Sequence, residues 1–135
     1  MTEHLGFLRS SDEYKIMAMA SYGRPRFLPE PRDAVHAAEA AVRRVADRAG
    51  GLDAVVAAAG TDRCGRLVDI PGPEWDRVVL VNLLGTAAVV RAALPYLLRS
   101  HGKVVTVGST LGVRALSDAI AYCASKFGIV GFTGR

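Results

Sequence analysis

Residues 102–126 read GKVVTVGSTLGVRALSDAIAYCASK, and the fold turns on how this stretch is parsed. Val104, Val105, Thr106 and Val107 are β-branched in succession, the composition of a short strand buried on both faces, and Gly108 ends it. Ser109 follows directly. The segment then changes period, and SDAIAYCASKFGIVGF reads as a helix on which Tyr122 and Lys126 stand four residues apart. At that spacing they share one helix face, so an ammonium lies close to a phenol. A neighbouring positive charge favours a phenolate. A phenol tuned in this way gives or takes a proton at a substrate oxygen.

The same grammar repeats upstream. LDAVVAAAG, residues 52–60, is a second short apolar run that reads as a buried strand and ends at Gly60. Between the two strands, PEWDRVVLVNLLGT (73–86) is a helix with Pro73 in its first turn and Glu74 and Asp76 near its positive end. It carries Asn82. A second helix is expected over AAVVRAALPYLLRS (87–100), kinked at Pro95. Before the first strand, Asp33 is placed to cap a helix whose apolar positions Val35, Ala38, Val42, Val45 and Ala49 fall at helical spacing, and Gly50-Gly51 to end it. Helix, strand, helix, strand, helix is the alternation of an α/β chain with a parallel sheet and flanking helices. In such a sheet the ligand crevice lies beyond the carboxyl ends of the strands, where Gly60, Ser109 and the Tyr122–Lys126 face are expected to meet.

Composition narrows the function classes. At 135 residues the chain is one domain at most, and with 50% hydrophobic and 22% charged residues it reads as globular. The net charge of +4 comes from arginines scattered without a basic run, and few aromatics stand among them, which argues against nucleic acid as a partner. Cys64 and Cys123 form no CxxC pair and have no histidine at metal spacing, so no metal site is read and two reduced, buried or half-buried thiols are expected. His36 and His101 are assigned to the surface. MTEHLGFLRSSDEYK at the start mixes both signs of charge with no continuous apolar core, unlike a signal or transit peptide. No apolar run is read as reaching the ~18 residues of a membrane span, so no membrane is expected and the cytoplasm is the expected location. Residues 1–32 are read as a proline-rich N-terminal arm in which YKIMAMASY (14–22) is a candidate strand, and residues 33–135 as the α/β domain.

Four pieces, AAAG (57–60), VNLLGT (81–86), VGS (107–109) and YCASK (122–126), occur in one order, with Ser109 thirteen residues before Tyr122. Over residues 33–133 this pattern resembles the short-chain dehydrogenase/reductase family of NAD(P)-dependent enzymes built on a Rossmann sheet. The resemblance implies a catalytic set of Asn82, Ser109, Tyr122 and Lys126. Tyr122 would be the general acid/base at a carbonyl or alcohol oxygen, and Ser109 would hydrogen-bond that oxygen. Lys126 would tune the tyrosine and hold the nicotinamide ribose, and Asn82 would hold a proton-relaying water. Cofactor contacts would come from Gly60, Asn82, Tyr122 and Lys126, and from Asp33 in EPRD (30–33) at the adenine end. The resemblance further implies NAD or NADP as cofactor, a small-molecule carbonyl or alcohol substrate, and a homo-oligomer joined through residues 74–100 and 119–133.

Three departures accompany the match. The TGxxxGxG turn that cradles pyrophosphate in the family does not occur, and Ala57 and Ala58 stand for the two asparagines of NNAG. The family's closing strand and substrate loop also find no counterpart, so a partial Rossmann-like sheet is expected. The alternative to an enzyme is a non-catalytic fragment or interaction module derived from the family. Within residues 5–28, SSDEYKIMAMASYGRPRF (10–27) is similar to a segment of the nodulation-type O-carbamoyltransferases.

Overall fold

The computed structural model describes residues 31–134. The expectations for the N-terminal arm, including the candidate strand at 14–22 and the carbamoyltransferase-like segment, lie outside the described residues. In chain order the elements are α1 (Pro31–Ala49), β1 (Ala54–Ala57), α2 (Gly72–Val79), a π-helical turn over Leu80–Gly85, α3 (Thr86–Ser100), β2 (Lys103–Thr106) and α4 (Ile120–Thr133). Short 3-10 turns stand at Leu67–Asp69 and Thr110–Gly112.

The helix expected from Asp33 begins two residues earlier, so Asp33 lies inside the first turn instead of capping it. Proline tolerates that position because the first amide protons of a helix have no partner within it. The glycine pair ends α1 as read: Gly50 adopts φ 75°, and the Gly51 N–H returns to the Ala46 carbonyl at 2.9 Å.

β1 and β2 pair in parallel, Ala54 opposite Lys103 through Ala57 opposite Thr106. The Lys103 N–H to the Asp53 carbonyl, at 2.9 Å, and the Val107 N–H to the Ala57 carbonyl, at 3.4 Å, extend the ladder at both ends. A parallel pair needs a long crossover, and the helical run from Gly72 to Ser100 supplies it. That run corrects two expectations. It is continuous, with Pro95 inside α3 and the irregularity displaced to the π turn. It is also long and apolar enough to cross a membrane by length and composition, with a mean hydropathy of 1.8 over its best window. Here it is a packing helix: Ala88, Ala92, Ala93 and Leu97 form its buried stripe, α3 packs on both strands, and α1 packs on α3.

The strands are not buried on both faces as their composition suggests. Val56 is 58% exposed and Val105 49%. A β-branched run encodes sides to be covered, and among the described residues α3 covers one side of a two-stranded sheet. Cys64 is exposed, against expectation, while Cys123 is buried; both are free thiols.

Two further contacts fix the helices. Glu39 on α1 is buried and takes the Arg91 guanidinium of α3, with Arg91 Nε donating to Oε1 at 3.1 Å. That hydrogen bond, with the charges of Arg91 and Arg43, holds the Glu39 carboxyl below its ordinary range. On the other flank Ile70, Val78 and Ala121 form an apolar cluster with Trp75 packed against it, which ties α4 to α2.

At the α3–β2 corner His101 takes a left-handed conformation, φ 55°, and Gly102 passes so close to β1 that an added Cβ would lie 2.5 Å from the Asp53 carbonyl oxygen. Replacing Gly102 by alanine is therefore expected to lower stability by about 1–3 kcal/mol, the range for overpacking. Gly131, in the last turns of α4, has open space around it, and Gly131→Ala should raise stability by roughly 0.5–1 kcal/mol through helix propensity. Urea unfolding of the two variants beside the wild type checks both signs.

Candidate active site

The carboxyl ends of β1 and β2 lead into Gly60-Thr61 and into Val107–Ser109, and α4 is tied to this end by hydrogen bonds from Lys126 to Val107 and from Asn82 to Ser125. Asn82 sits in the π turn and is 1% exposed. Its Oδ1 accepts the Thr61 N–H at 2.8 Å, while Nδ2 donates to the Thr61 carbonyl at 2.9 Å and to Ser125 Oγ at 2.9 Å. Both amide protons and the oxygen are thereby engaged, so the side chain has one orientation. Gly60 lies alongside: a Cβ there would be 3.5 Å from Oδ1.

Ser125 is fully buried, and its hydroxyl donates to the Tyr122 carbonyl at 2.7 Å. The reading of the motifs passed over it. A signal was present, because Ala121, Ser125 and Ile129 recur every four residues on the buried stripe of α4, and a polar group on such a stripe requires a partner.

Lys126 is 5% exposed, and its Nζ donates to the Val107 carbonyl at 2.7 Å, one residue beyond β2. The same nitrogen lies 5.5 Å from the centre of the half-buried Tyr122 ring, within cation–π reach. Burial lowers the Lys126 pKa from the ordinary 10.5. Ser109 has extended backbone, and its Oγ accepts the Leu111 N–H at 3.1 Å, which caps the 3-10 turn and leaves its own proton available. That turn presses on α4: a Cβ on Gly112 would stand 2.8 Å from the Lys126 carbonyl oxygen.

Tyr122, Lys126 and the end of β2 are thus brought together, with Ser109 two residues past Val107. Asn82 is joined to Thr61 and Ser125 and not to Lys126 directly. No hydrogen bond or ion pair among the described residues joins Asp33 to this group. A cavity of about 310 Å³ is lined by Thr61, Asp62, Arg63, Glu74, Arg77 and Val78, and it contains none of Ser109, Tyr122 and Lys126. The described residues hold no group of three or more histidine, cysteine or acidic side chains arranged for a metal ion.

The pattern that describes the short chain dehydrogenases matches residues 32–135. The chain belongs to the short-chain dehydrogenase family. It is 35% identical over 109 residues to the D-beta-hydroxybutyrate dehydrogenase of Rhizobium meliloti, covering 78% of this chain and 42% of that protein. It is 34% identical over 93 residues to the 3-oxoacyl-[acyl-carrier-protein] reductase FabG of Thermotoga maritima, covering 68% of this chain and 38% of that one. Among solved structures, the alcohol dehydrogenase from the archaeon Thermococcus sibiricus complexed with 5-hydroxy-NADP superposes with a TM-score of 0.71 at 27% identity. The superposition covers 74% of this chain and 43% of that one. The fold is accordingly a part of the Rossmann-type sheet of this family, and the chain spans about two-fifths of the length of the curated relatives it matches.

Two outcomes follow from these bonds. Asn82→Ala leaves the Thr61 backbone groups without their partner in a part-buried site and removes the buried bond to Ser125, and should cost about 1–3 kcal/mol in a denaturant titration. For Lys126, the folded state has the lower proton affinity, so below its folded midpoint the buried charge weakens the fold in full. Between that midpoint and 10.5 the unfolded chain holds more protons, and stability rises with pH. The stability of the wild type relative to Lys126→Met should therefore improve as pH climbs towards 10.5, measured by urea unfolding across that range.

Proposed function

We propose that the protein is an NAD(P)-dependent oxidoreductase acting on a small alcohol or carbonyl substrate, with Tyr122 exchanging the proton at the substrate oxygen. The observation that carries this reading is the buried Lys126 ammonium, fixed at the carboxyl end of β2 beside the Tyr122 ring. An ammonium held there stabilises a phenolate as the proton leaves, which is what an acid/base phenol requires. Ser109 has its lone pair engaged by the Leu111 N–H and its proton free, which suits it to donate to the same substrate oxygen. Asn82 fixes the Gly60-Thr61 turn that follows β1.

The cofactor fits at one end. Lys126 spends one of its three protons on Val107 and keeps two for ribose hydroxyls, and the space around Gly108 is open, since a Cβ there would meet nothing within 4 Å. A nicotinamide, when bound, supplies or accepts the hydride. The diphosphate end is different: the glycine turn that would present backbone N–H groups to the phosphates does not occur in the sequence. Asp33, in the first turn of α1, remains the candidate for the adenine side. Names of relatives support both cofactor and substrate class, one neighbour being complexed with 5-hydroxy-NADP and one relative acting as a hydroxybutyrate dehydrogenase.

We assign the protein to the cytoplasm and to a homo-oligomer. Leu94 and Leu98 on α3, with Phe127 and Val130 on α4, are exposed apolar residues on the two helices that would meet a second copy. Light scattering at micromolar concentration should report more than one copy, and a monomer would count against this assignment.

The oxidoreductase reading is tested by grafting and by titration. Residues 32–135 placed over the matching segment of the R. meliloti dehydrogenase should keep NAD(P)-dependent turnover, and Tyr122→Phe in that chimera should lower kcat by ~10²–10⁴-fold, the range for losing a general acid/base. The 135-residue chain itself should bind NADH and NADPH weakly, with Kd of about 1 mM or above by nicotinamide fluorescence, a binding free energy of only roughly −4 kcal/mol. A chimera whose turnover survives Tyr122→Phe would overturn the assignment.

A further inference from the structure

We propose that Ser125 is a positioning residue for the Tyr122–Lys126 pair, holding their helix to the Gly60-Thr61 turn through Asn82. The inference rests on the reading of Tyr122 as the group that exchanges the proton.

The hydrogen-bond polarity along this path has one solution. Asn82 Nδ2 can only donate, so Ser125 Oγ accepts from it, and the hydroxyl proton of Ser125 goes to the Tyr122 carbonyl. Turning the Asn82 amide over would set its oxygen against the Thr61 carbonyl and its nitrogen against the Thr61 N–H. The path from the strand-end turn to the backbone of Tyr122 is therefore directional and cannot be reversed. The Asn82–Ser125 bond is buried, with each side chain at 1% exposure or less, so no water replaces it without opening the packing, while the bonds to Thr61 and to the Tyr122 carbonyl are part-buried.

Geometry makes this path a control on the reactive groups. Ser125 is fixed to the carbonyl of the residue that carries the phenol, and it immediately precedes the residue that carries the ammonium. On the other side, Gly112 packs against the Lys126 carbonyl. The helix is gripped at adjacent residues from two directions. Releasing one grip lets the helix turn or slide against β2, and a displacement of about 1 Å at a reacting group costs on the order of 10²-fold in rate. Alanine at 125 would favour the helix slightly by propensity, but would leave one Asn82 proton unpaired in a buried site.

The test needs no turnover. The chain has three lysines, Lys15, Lys103 and Lys126, so protein labelled with carbon-13 at lysine Cε gives three titrating signals, and Lys126→Met identifies the third. In the wild type Lys126 should titrate below the ordinary lysine value of 10.5. Ser125→Ala should move its midpoint up by about half a pH unit, roughly threefold in proton affinity, as the amine gains water. The same change made in an Asn82→Ala background should move it no further, because Ser125 acts through Asn82. Ser125→Cys, which keeps the volume and a weak acceptor, should fall between. A role confined to stability predicts lower unfolding midpoints with an unchanged Lys126 titration, and that result overturns the proposal. So does an equal shift in the Asn82→Ala background. If Ser125→Ala does not fold, the Ser125→Cys titration decides by the same criterion. An inactive chimera would remove the oxidoreductase reading without altering these signals, so the two failures are distinguishable.

Discussion

The buried amide of Asn82 is the joint on which the arrangement depends. Three hydrogen bonds leave it, two to the backbone of Thr61 and one to Ser125, and through them the loop after β1 and the helix bearing Tyr122 are held in one frame. Strands as short as four residues cannot supply that rigidity themselves. A polar group placed in the dry interior is costly unless satisfied, and for that reason it specifies a single geometry when it is. The apolar contacts of Ile70, Val78 and Ala121 bring the same helices together without choosing their relative rotation. Lys126 supplies the second link, from α4 to the end of β2.

Much of this was legible from residue pattern alone. The β-branched runs placed both strands to within two or three residues, because such runs have few alternatives beside long alanine-rich helices. The four-residue spacing of Tyr122 and Lys126 put them on one face, which follows from helix geometry whatever surrounds it. What stayed hidden depends on contacts distant in sequence. Ser125 bonds to Asn82 across 43 positions and Arg91 to Glu39 across 52, and no local pattern encodes such pairs. The π turn was equally silent, since Leu80–Gly85 reads as ordinary apolar helix and the extra residue per turn serves to bury Asn82. Strand burial was misjudged for another reason: composition reports the environment a segment is suited to, and Val56 and Val105 are only partly provided with it here.

The relation to longer relatives gives those exposed valines a meaning. The matched region covers about two-fifths of the curated dehydrogenases, and within it lie the parallel pair and the polar joint above its carboxyl end. A parallel strand exposes hydrogen-bonding groups along any edge that lacks a neighbour, and here each strand has one neighbour among the described residues. The four motifs quoted for the family occur together in this sequence, without a TGxxxGxG turn.

The π turn also constrains how the sequence can change in length. Each residue of the wide turn advances the chain by less than the roughly 100° of an α-helix, so the six residues Leu80–Gly85 sweep nearly the angle of five α-helical ones. Removing one of them with reversion to α geometry would leave the stripe of Ala88, Ala92, Ala93 and Leu97 facing the sheet and Arg91 facing Glu39, while Asn82 would lose the turn that buries it. The same deletion within α3 would instead be a change of phase that reaches the far end of that helix. The extra residue at Leu80–Gly85 therefore belongs to the polar joint and not to the packing around it.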